Sequence, residues 1–162
     1  FQKRRKVIES LERILQEHSF VKDLSNEHVK LIVGCAKNVV FEPEKYFFKE
    51  DQEASEFYII RSGKVALEIY TPEYGPITIQ TLGEGDVLGW SWLIPPYLWR
   101  FDARAVELTR AIALDGKCLR GKCEQDPKLG YELMKRLANL FEQRLYAMRL
   151  QLLDIYNLRS TN

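Results

Sequence analysis

Residues 83–105 read GEGDVLGWSWLIPPYLWRFDARA and are the most informative segment of the chain. The segment begins with a glycine turn, continues through a predicted short helical segment after Gly89, and then has an arginine that leads into a strand. All three tryptophans of the chain lie within it, with Tyr97 and Phe101 among them. Such a concentration of aromatic side chains indicates either a packed core, an aromatic-lined ligand site or a surface that binds protein.

Short segments rich in β-forming residues surround this stretch, and turn signals separate them. They cover residues 38–41, 46–48, 57–61, 64–70, 77–82, 103–106 and 110–114. In residues 64–70 apolar Val65, Leu67 and Ile69 alternate with other residues, which predicts a strand with one buried face. Many short strands with frequent turns predict a mainly β fold, a sandwich or a jelly roll.

Helices are predicted on both sides of the β-rich region. An amphipathic pattern predicts a first helix that ends near His18, and Ser25 is a predicted N-cap for a second. Asp115 is a predicted cap of a short helix that reaches about Glu124. Asp126 then caps a long helix with Pro127 at its first position, where the missing N–H costs nothing.

Apolar residues on the long helix recur at intervals of four and three, which is a heptad pattern. The seam contains Met134, Ala138, Phe141, Leu145, Met148, Leu152 and Ile155. A second stripe, Leu133, Leu137 and Leu140, runs beside it. A helix of about 30 residues is about 45 Å long, more than a small domain covers. We therefore expect a homodimer through Met134, Phe141, Leu145, Met148, Leu152 and Ile155, the alternative being a helix packed wholly within one monomer.

Composition limits the possible function. The 162 residues predict one domain with three parts: a helical segment 1–37, a β region 38–114 and helices over 115–162. The net charge of +1 does not suggest a nucleic-acid binder, and the apolar runs are shorter than a bilayer requires. Cys35, Cys118 and Cys123 are odd in number and form no Cys-x-x-Cys motif, which predicts a reduced, cytoplasmic chain.

The sequence offers little evidence of catalysis or metal binding. His18 and His28 are ten residues apart without neighbouring cysteines, which makes a poor metal site. We expect His18, at a helix C-terminus, to carry a partly cationic ring that offsets the helix dipole. Cys118 and Cys123 are expected to be partly buried thiols of a small helix. Without a nucleophile–base pair or paired carboxylates, the chain is not expected to be an enzyme.

Three segments carry a resemblance to a known family. Residues 41–44 read FEPE ahead of a strand, residues 57–65 predict a strand–turn–strand unit, and residues 82–89 lead into the tryptophan-rich stretch. In this order they resemble the cyclic-nucleotide-binding domain family, of the catabolite activator protein and protein kinase A regulatory subunit type. The resemblance covers nearly the whole chain. It implies a double-stranded β-helix, or jelly roll, with N-terminal helices and a long C-terminal helix, and makes residues 83–105 the phosphate-binding cassette.

The resemblance also implies a ligand site. In the family, a glycine precedes a glutamate that accepts hydrogen bonds from the ribose 2′-hydroxyl, and N–H groups of a short helix and an arginine bind the phosphate. Gly89 matches the glycine, Trp90 stands at the glutamate position, and the arginine falls at Trp99 or Arg100. Arg100 is the arginine near enough to serve. The implied ligand-binding residues are Gly89, Trp90, Ser91, Trp92, Leu93, Trp99, Arg100, Phe101 and Ala103.

Trp90 departs from the family pattern, because an indole offers one N–H donor and no acceptor for a ribose hydroxyl. We therefore expect a regulatory ligand-sensing domain that relays a small-molecule signal through its C-terminal helix, with cyclic AMP or cyclic GMP binding weak or lost. Another small anionic ligand is possible, and no cofactor is expected. The alternative is a ligand-free protein-interaction scaffold that uses the aromatic cassette and the dimer helix.

DNA binding by this chain is not expected. Related transcription factors continue after the long helix into a winged helix-turn-helix, which needs roughly another 60–70 residues. Few residues follow Tyr156 here. The sequence therefore predicts either a stand-alone sensor or a domain excised from a longer protein, with an unknown protein partner.

Overall fold

Two antiparallel four-stranded sheets form a β-roll in the computed structural model, which describes residues 2–160. The first sheet has the order β1 (Ala36–Phe41), β8 (Thr109–Asp115), β3 (Glu56–Ser62) and β6 (Val87–Leu88). The second has the order β2 (Tyr46–Phe48), β7 (Asp102–Ala105), β4 (Val65–Thr71) and β5 (Gly75–Leu82). The prediction of a mainly β jelly roll with flanking helices is confirmed.

Each of the seven β-rich segments forms a strand, and one strand was not predicted. β6 has only two residues, which pair with Tyr58 and Ile59 of β3. Two residues are too few to show the alternation typical of a strand, so β6 could not be recognised within the glycine-rich stretch. The strand matters because it brings the start of the cassette against the first sheet.

Strands β3, β6 and β8 of the first sheet are buried on both faces, whereas β1 at its edge is largely exposed. In β3, Phe57 and Ile59 face the helices, whereas Tyr58 and Ile60 face the inside of the roll. The faces belong to two clusters, which we call the helical core and the roll core. The helical core includes Leu15, Ile32, Phe57, Ile59, Trp92, Ile112, Leu119 and Leu133. The roll core includes Phe47, Phe48, Tyr58, Ile60, Leu67, Leu88, Trp99, Phe101 and Ala103.

The burial predicted for β4 is wrong. Residues 65–68 are all buried, whereas Ile69 is exposed. A register irregularity between Leu67 and Glu68 in the pairing with β5 breaks the regular alternation. Glu68, only 3% exposed, accepts hydrogen bonds from Arg104 of β7, and this ion pair permits the burial of its carboxylate.

Four helices flank the roll, and their predicted caps are confirmed. They are α1 (Gln2–Glu17), α2 (Asn26–Val33), α3 (Gly116–Gln125) and α4 (Pro127–Ser160). Ser25 Oγ accepts from the N–H of His28, and Asp115 accepts from the N–H of Cys118. Asp126 accepts from the first free N–H groups of α4, which follow Pro127.

The two stripes of α4 have different surroundings. Leu133 and Leu137 are buried in the helical core, and Leu140 packs against it. Most of the seam is exposed in the single chain: Met134 is 48% exposed, Leu145 47%, Met148 53%, Leu152 56% and Ile155 51%. The 34 residues of α4 extend about 50 Å, so its C-terminal half passes beyond the roll. The expected partner of the seam stays a prediction.

The cysteines overturn one prediction. Cys35, which follows α2, forms a disulfide with Cys118 of α3, although 83 residues separate them. The expectation of a fully reduced chain, with Cys118 a partly buried thiol, is therefore wrong. Cys123 is free and partly buried as expected, and burial raises the pKa of its thiol. Spacing along the sequence could not show the disulfide, because the fold alone brings α3 beside the end of α2.

His18 also differs from its prediction. Burial is the main cause that lowers the pKa of its imidazole, while Asp86 acts in the opposite direction. Its Nδ1 accepts a hydrogen bond from the N–H of Phe20, a bond that needs this nitrogen unprotonated. The ring is therefore neutral near pH 7, and it does not offset the dipole of α1. His28 contacts Asp126, with 3.1 Å between Nε2 and the carboxylate.

Over residues 2–160, none of the helices combines the length and apolar character that crossing a bilayer requires. The division into 1–37, 38–114 and 115–162 stays a prediction, although strands and helices change near its boundaries. Residues 1, 161 and 162 of these ranges lie outside the described residues.

Candidate functional site

The cassette begins with the turn that its glycine spacing predicts. Gly89 has φ 85° and ψ 65°, a left-handed conformation that glycine adopts without a steric penalty. It precedes a short 3₁₀ helix, Trp90–Leu93, which we call the cassette helix. A loop then leads to β7. The backbone thus has the order of elements that the sequence predicts for a phosphate-binding cassette.

The side chain of Trp99 fills the space beside this turn. Trp99 is 3% exposed, and its ring stacks on Phe48 with 3.7 Å between centroids and 9° between planes. A Cβ atom added to Gly89 would lie 2.7 Å from the Trp99 indole. The indole therefore lies directly against the glycine turn, and glycine is required there for contact as well as for conformation.

Small residues on the opposing strands make room for the aromatic rings. Ala103 and Ala105 of β7 and Ala111 and Ala113 of β8 are all fully buried in the roll core. Their short side chains leave space for the rings of Phe47, Phe48, Tyr58, Trp99 and Phe101. The inside of the roll is therefore filled by side chains of the chain itself.

Trp90, at the position where the family has a carboxylate, connects the roll to α4. Its ring packs partly against both cores. The ring contacts Phe101 of the roll core at 5.8 Å and Phe141 of α4 at 5.4 Å, edge to face. Trp90 is thus an apolar bridge between cassette and helix, where a carboxylate would offer only acceptors.

Arg144 of α4 completes this bridge. Its guanidinium carbon lies 4.4 Å from the centre of the Trp90 ring, and its Nη2 donates to the carbonyl of Val87 over 2.7 Å. Arg144 is only 9% exposed. Burial lowers the pKa of its guanidinium to about 10, which keeps the group cationic at neutral pH. Arg144, a buried cation of α4, therefore contacts Val87 and Trp90, the residues on either side of Leu88 and Gly89.

A second contact fastens the cassette on the side of α3. Arg120 of α3 donates from Nη1 to the carbonyl of Trp92, and its guanidinium lies 4.3 Å from the ring centre of Tyr97. Trp92 is 1% exposed and packs in the helical core. The cassette is therefore held by Arg120 from α3 and by Arg144 from α4.

The two arginines at the end of the cassette have different roles. Arg104 is engaged by the carboxylates of Glu68 and Glu44, which raise its pKa, with Glu68 the larger cause. Arg100 is exposed, between buried Trp99 and Phe101. The sequence left open whether Trp99 or Arg100 takes the inward position of the family's arginine. In the structure Trp99 points into the roll core. The role of Arg100 in anion binding stays a prediction.

The structure divides the predicted ligand-binding residues into three groups. Trp99, Phe101 and Ala103 lie in the roll core, where Gly89 contacts Trp99 and Trp90 packs at the edge. Trp92 lies in the helical core, Leu93 packs against it, and Ser91 is also buried. Arg100 is exposed. The residues that the family uses for one ligand are thus distributed between two cores and the surface.

Two cavities lie elsewhere. One has a volume of about 320 Å³ between α4 and the turn before β6, and Phe20, Asp86, Asn139 and Gln143 are among its lining residues. A more open one of about 680 Å³ adjoins it beside Lys22 and Lys135. The predicted ligand-binding residues line neither cavity.

Sequence reasoning missed Arg144 and the fastening role of Arg120. Arg144 continues the stripe of Leu133, Leu137 and Leu140 at the next interval of four, so a cation on a buried helical face was a usable signal. The contact of Arg120 with Trp92 had no comparable signal. It depends on how α3 packs against the cassette helix.

Comparisons with known proteins identify the family of the chain and agree with its fold. The sequence model of the family described as "Cyclic nucleotide-binding domain" matches residues 38–126. None of the curated protein sequences compared with the chain matches it. Three solved structures illustrate the similarity of fold.

A structure from Geobacter metallireducens, described as a candidate cyclic nucleotide-binding protein, is 30% identical with a TM-score of 0.75, and the alignment covers 84% of this chain and 98% of that one. A cyclic nucleotide-binding domain from Methylobacillus flagellatus is 22% identical with a TM-score of 0.76, and the alignment covers 91% of this chain and 83% of that one. The regulatory domain of Toxoplasma gondii protein kinase A with cyclic AMP is 15% identical with a TM-score of 0.71, and the alignment covers 86% of this chain and 51% of that one.

Proposed function

Because the chain belongs to the cyclic nucleotide-binding domain family, we propose that it is a regulatory module whose nucleotide pocket is filled by its own aromatic side chains. In this proposal cyclic AMP and cyclic GMP bind weakly or not at all, and α4 carries the output of the cassette. The position of Trp99, stacked on Phe48 and pressed against Gly89, is the observation that carries the proposal.

Two physical terms oppose nucleotide binding. A nucleotide beside the glycine turn would have to displace the Trp99 indole from the roll core. At the sugar, Trp90 offers no acceptor, and a ribose hydroxyl without its partner costs on the order of 1–3 kcal/mol. The missing acceptor alone lowers the affinity for the nucleotide roughly 10- to 100-fold.

The output through α4 is supported by contacts that join it to the cassette. Trp90 contacts Phe141 and Arg144, and Arg144 also binds the carbonyl of Val87. A change in the cassette helix would move the groups that α4 packs against. For this to act as a switch, the input must favour one arrangement of α4 over another.

Calorimetric titration with cyclic AMP and cyclic GMP tests the proposal. We expect no saturable heat, and no shift in melting temperature, at nucleotide concentrations up to about 1 mM, which corresponds to a binding free energy weaker than about −4 kcal/mol. Quenching of tryptophan fluorescence gives an independent readout, because the tryptophans all lie in the cassette.

The variant Arg100→Ala tests, in the same titration, whether Arg100 binds the phosphate of the nucleotide. Micromolar binding by the wild-type protein would contradict the filled pocket. If Arg100→Ala abolished that binding with little change in melting temperature, Arg100 would be the anion anchor that the family resemblance predicts. If the variant bound equally well, Arg100 would have no such role.

A second candidate function is a ligand-free protein-interaction scaffold. The exposed seam of α4 favours it, because Met134, Leu145, Met148, Leu152 and Ile155 are each about half exposed in the single chain. We propose a second copy of the chain as the partner of this seam. A regulatory sensor requires an input that changes the cassette, whereas a scaffold binds its partner in one fixed state, and this difference separates the two functions.

A further inference from the structure

We infer that the Cys35–Cys118 disulfide is a reversible redox site that accepts two electrons from a dithiol and changes how tightly α3 holds the cassette. The inference rests on the proposed regulatory role and names an input for it other than cyclic nucleotide. It is carried by the place of the disulfide, which joins the end of α2 to the helix that contacts Trp92 and Tyr97.

The two sulfur atoms differ in accessibility. Cys35 is 7% exposed, whereas Cys118 is only partly buried, in the first turn of α3. A thiolate of the reductant therefore reaches Sγ of Cys118 more readily than Sγ of Cys35. It forms a mixed disulfide with Cys118 as the S–S bond breaks, and Cys35 leaves as a thiolate and takes up a proton. The second thiol of the reductant then releases Cys118 as a thiol, and the reductant becomes a cyclic disulfide.

The fold keeps the cysteines close after reduction. The N–H of Asp115 donates to the carbonyl of Cys35 over 2.9 Å, and the Asp115 side chain accepts from the N–H of Cys118. The pairing of β1 with β8, from Ala36 and Leu114 onward, holds the same two segments together. Because these bonds do not depend on the sulfurs, the thiols remain near one another and an oxidant can re-form the disulfide.

Helix α3 connects the disulfide directly to the cassette. Cys118 and Arg120 lie in the same helix, and Arg120 binds the carbonyl of Trp92 and lies over Tyr97. At the start of α3, a Cβ added to Gly116 would lie 2.8 Å from Cβ of Trp92, so α3 and the cassette helix are in close contact. Loss of the cross-link removes a constraint on α3 and on the groups that α3 holds.

The experiment measures the disulfide and the cassette together. The folded, oxidised protein is treated with dithiothreitol, and thiols are alkylated and counted by mass spectrometry. We expect the count to rise from one, Cys123, to three, and to return to one when oxidised glutathione replaces the dithiol. In parallel, hydrogen exchange over residues 92–99 is expected to become about tenfold faster after reduction.

Three variants make the result decisive. Cys123→Ser should preserve both responses, because Cys123 is not part of the disulfide. Cys118→Ser and Cys35→Ser should show fast exchange over residues 92–99 without dithiothreitol, and dithiothreitol should not change it further. Either substitution replaces one sulfur and leaves the backbone bonds of Asp115 available.

Two outcomes would overturn the inference. One is a disulfide that dithiothreitol reduces only in denaturant, which would make it a purely structural cross-link. The other is complete reduction with unchanged exchange over residues 92–99. Micromolar binding of cyclic AMP would instead contradict the filled pocket and leave the redox response intact, so the two proposals fail separately.

Discussion

Among single residues, Trp90 and Trp99 stand at positions that the family resemblance assigns to ligand recognition. Trp99 occupies the inside of the roll, and Trp90 lies between the roll and α4. Both indoles pack against aromatic rings: Trp99 against Phe48, and Trp90 against Phe101 and Phe141. The small alanines of β7 and β8 complement the rings of the roll core, so these side chains form one packing arrangement.

Trp99→Ala is expected to destabilise the protein strongly. The substitution removes a fully buried ring stacked on Phe48 and leaves a cavity, which costs about 3–5 kcal/mol of unfolding free energy. Urea denaturation measures the difference. Tyr74→Ala is the control, because Tyr74 is 78% exposed and its loss should change stability by less than about 0.5 kcal/mol. Equal stability of the two variants would show that Trp99 does not pack as described.

His18 gives the fold a dependence on pH. Burial lowers the pKa of folded His18 below its ordinary value of 6.5, so the unfolded chain binds the proton more readily. The stability that neutral His18 contributes is therefore complete above pH 6.5 and decreases as the pH falls below it. The carboxylates of Asp126 and Glu132, whose pKa values are lowered, lose their contribution only at more acidic pH.

Urea unfolding at pH 7.5 and pH 5.5 measures this effect. We expect the wild-type protein to be less stable at pH 5.5 and His18→Asn to show a smaller difference between the two pH values. An equal difference in the variant would assign the pH dependence to groups other than His18.

At the scale of elements, α4 has two faces with different tasks. The stripe of Leu133, Leu137 and Leu140 attaches the helix to its own domain, and Arg144 continues that attachment. The exposed seam extends along the part of the helix that leaves the roll. We expect a partner to cover an apolar seam of this length and exclude water from it.

Leu145→Glu with Leu152→Glu is expected to give monomers if the seam joins two copies. Two buried carboxylates in each helix would face their counterparts without compensation. Sedimentation equilibrium measures the mass directly. Gln151→Glu, on an exposed position of the same helix, should leave the mass unchanged. A wild-type protein that is monomeric at high concentration would contradict the dimer.

At the scale of the whole molecule, the cassette is fastened to helices on two sides. Arg120 holds it to α3, which the disulfide joins to the end of α2, and Arg144 with Trp90 holds it to α4. The contacts link regions far apart in sequence through one short helix. We propose that a change at the cassette reaches both helices through these direct contacts.

Arg144→Ala is expected to loosen this connection. The substitution removes the cation beside Trp90 and leaves the Val87 carbonyl without its donor, which costs about 1–3 kcal/mol. Hydrogen exchange should become faster both in residues 87–90 and in residues 140–148. Glu142→Ala, exposed on the same helix, should change neither region. Faster exchange in α4 alone would indicate that the helix and the cassette are not coupled.

Local patterns in the sequence were enough to predict a mainly β fold between flanking helices, with helix caps at Ser25 and Asp126 and a turn at Gly89. The sequence predicted the β-roll and the place of the cassette through the family resemblance of residues 41–44, 57–65 and 82–89. It also identified Trp90 as a departure, because a side chain without acceptors is evident from its type alone.

Contacts between distant segments, which the sequence does not reveal, determine what fills the roll and what holds the cassette to the helices. Whether Trp99 or Arg100 points inward, whether Cys35 meets Cys118, and where the Arg144 guanidinium lies all depend on contacts between segments distant in sequence. Local propensity carries no information on such pairs, because packing between elements sets their distance and their burial. The neutral ring of His18 has the same origin, since its desolvation comes from burial in the folded chain.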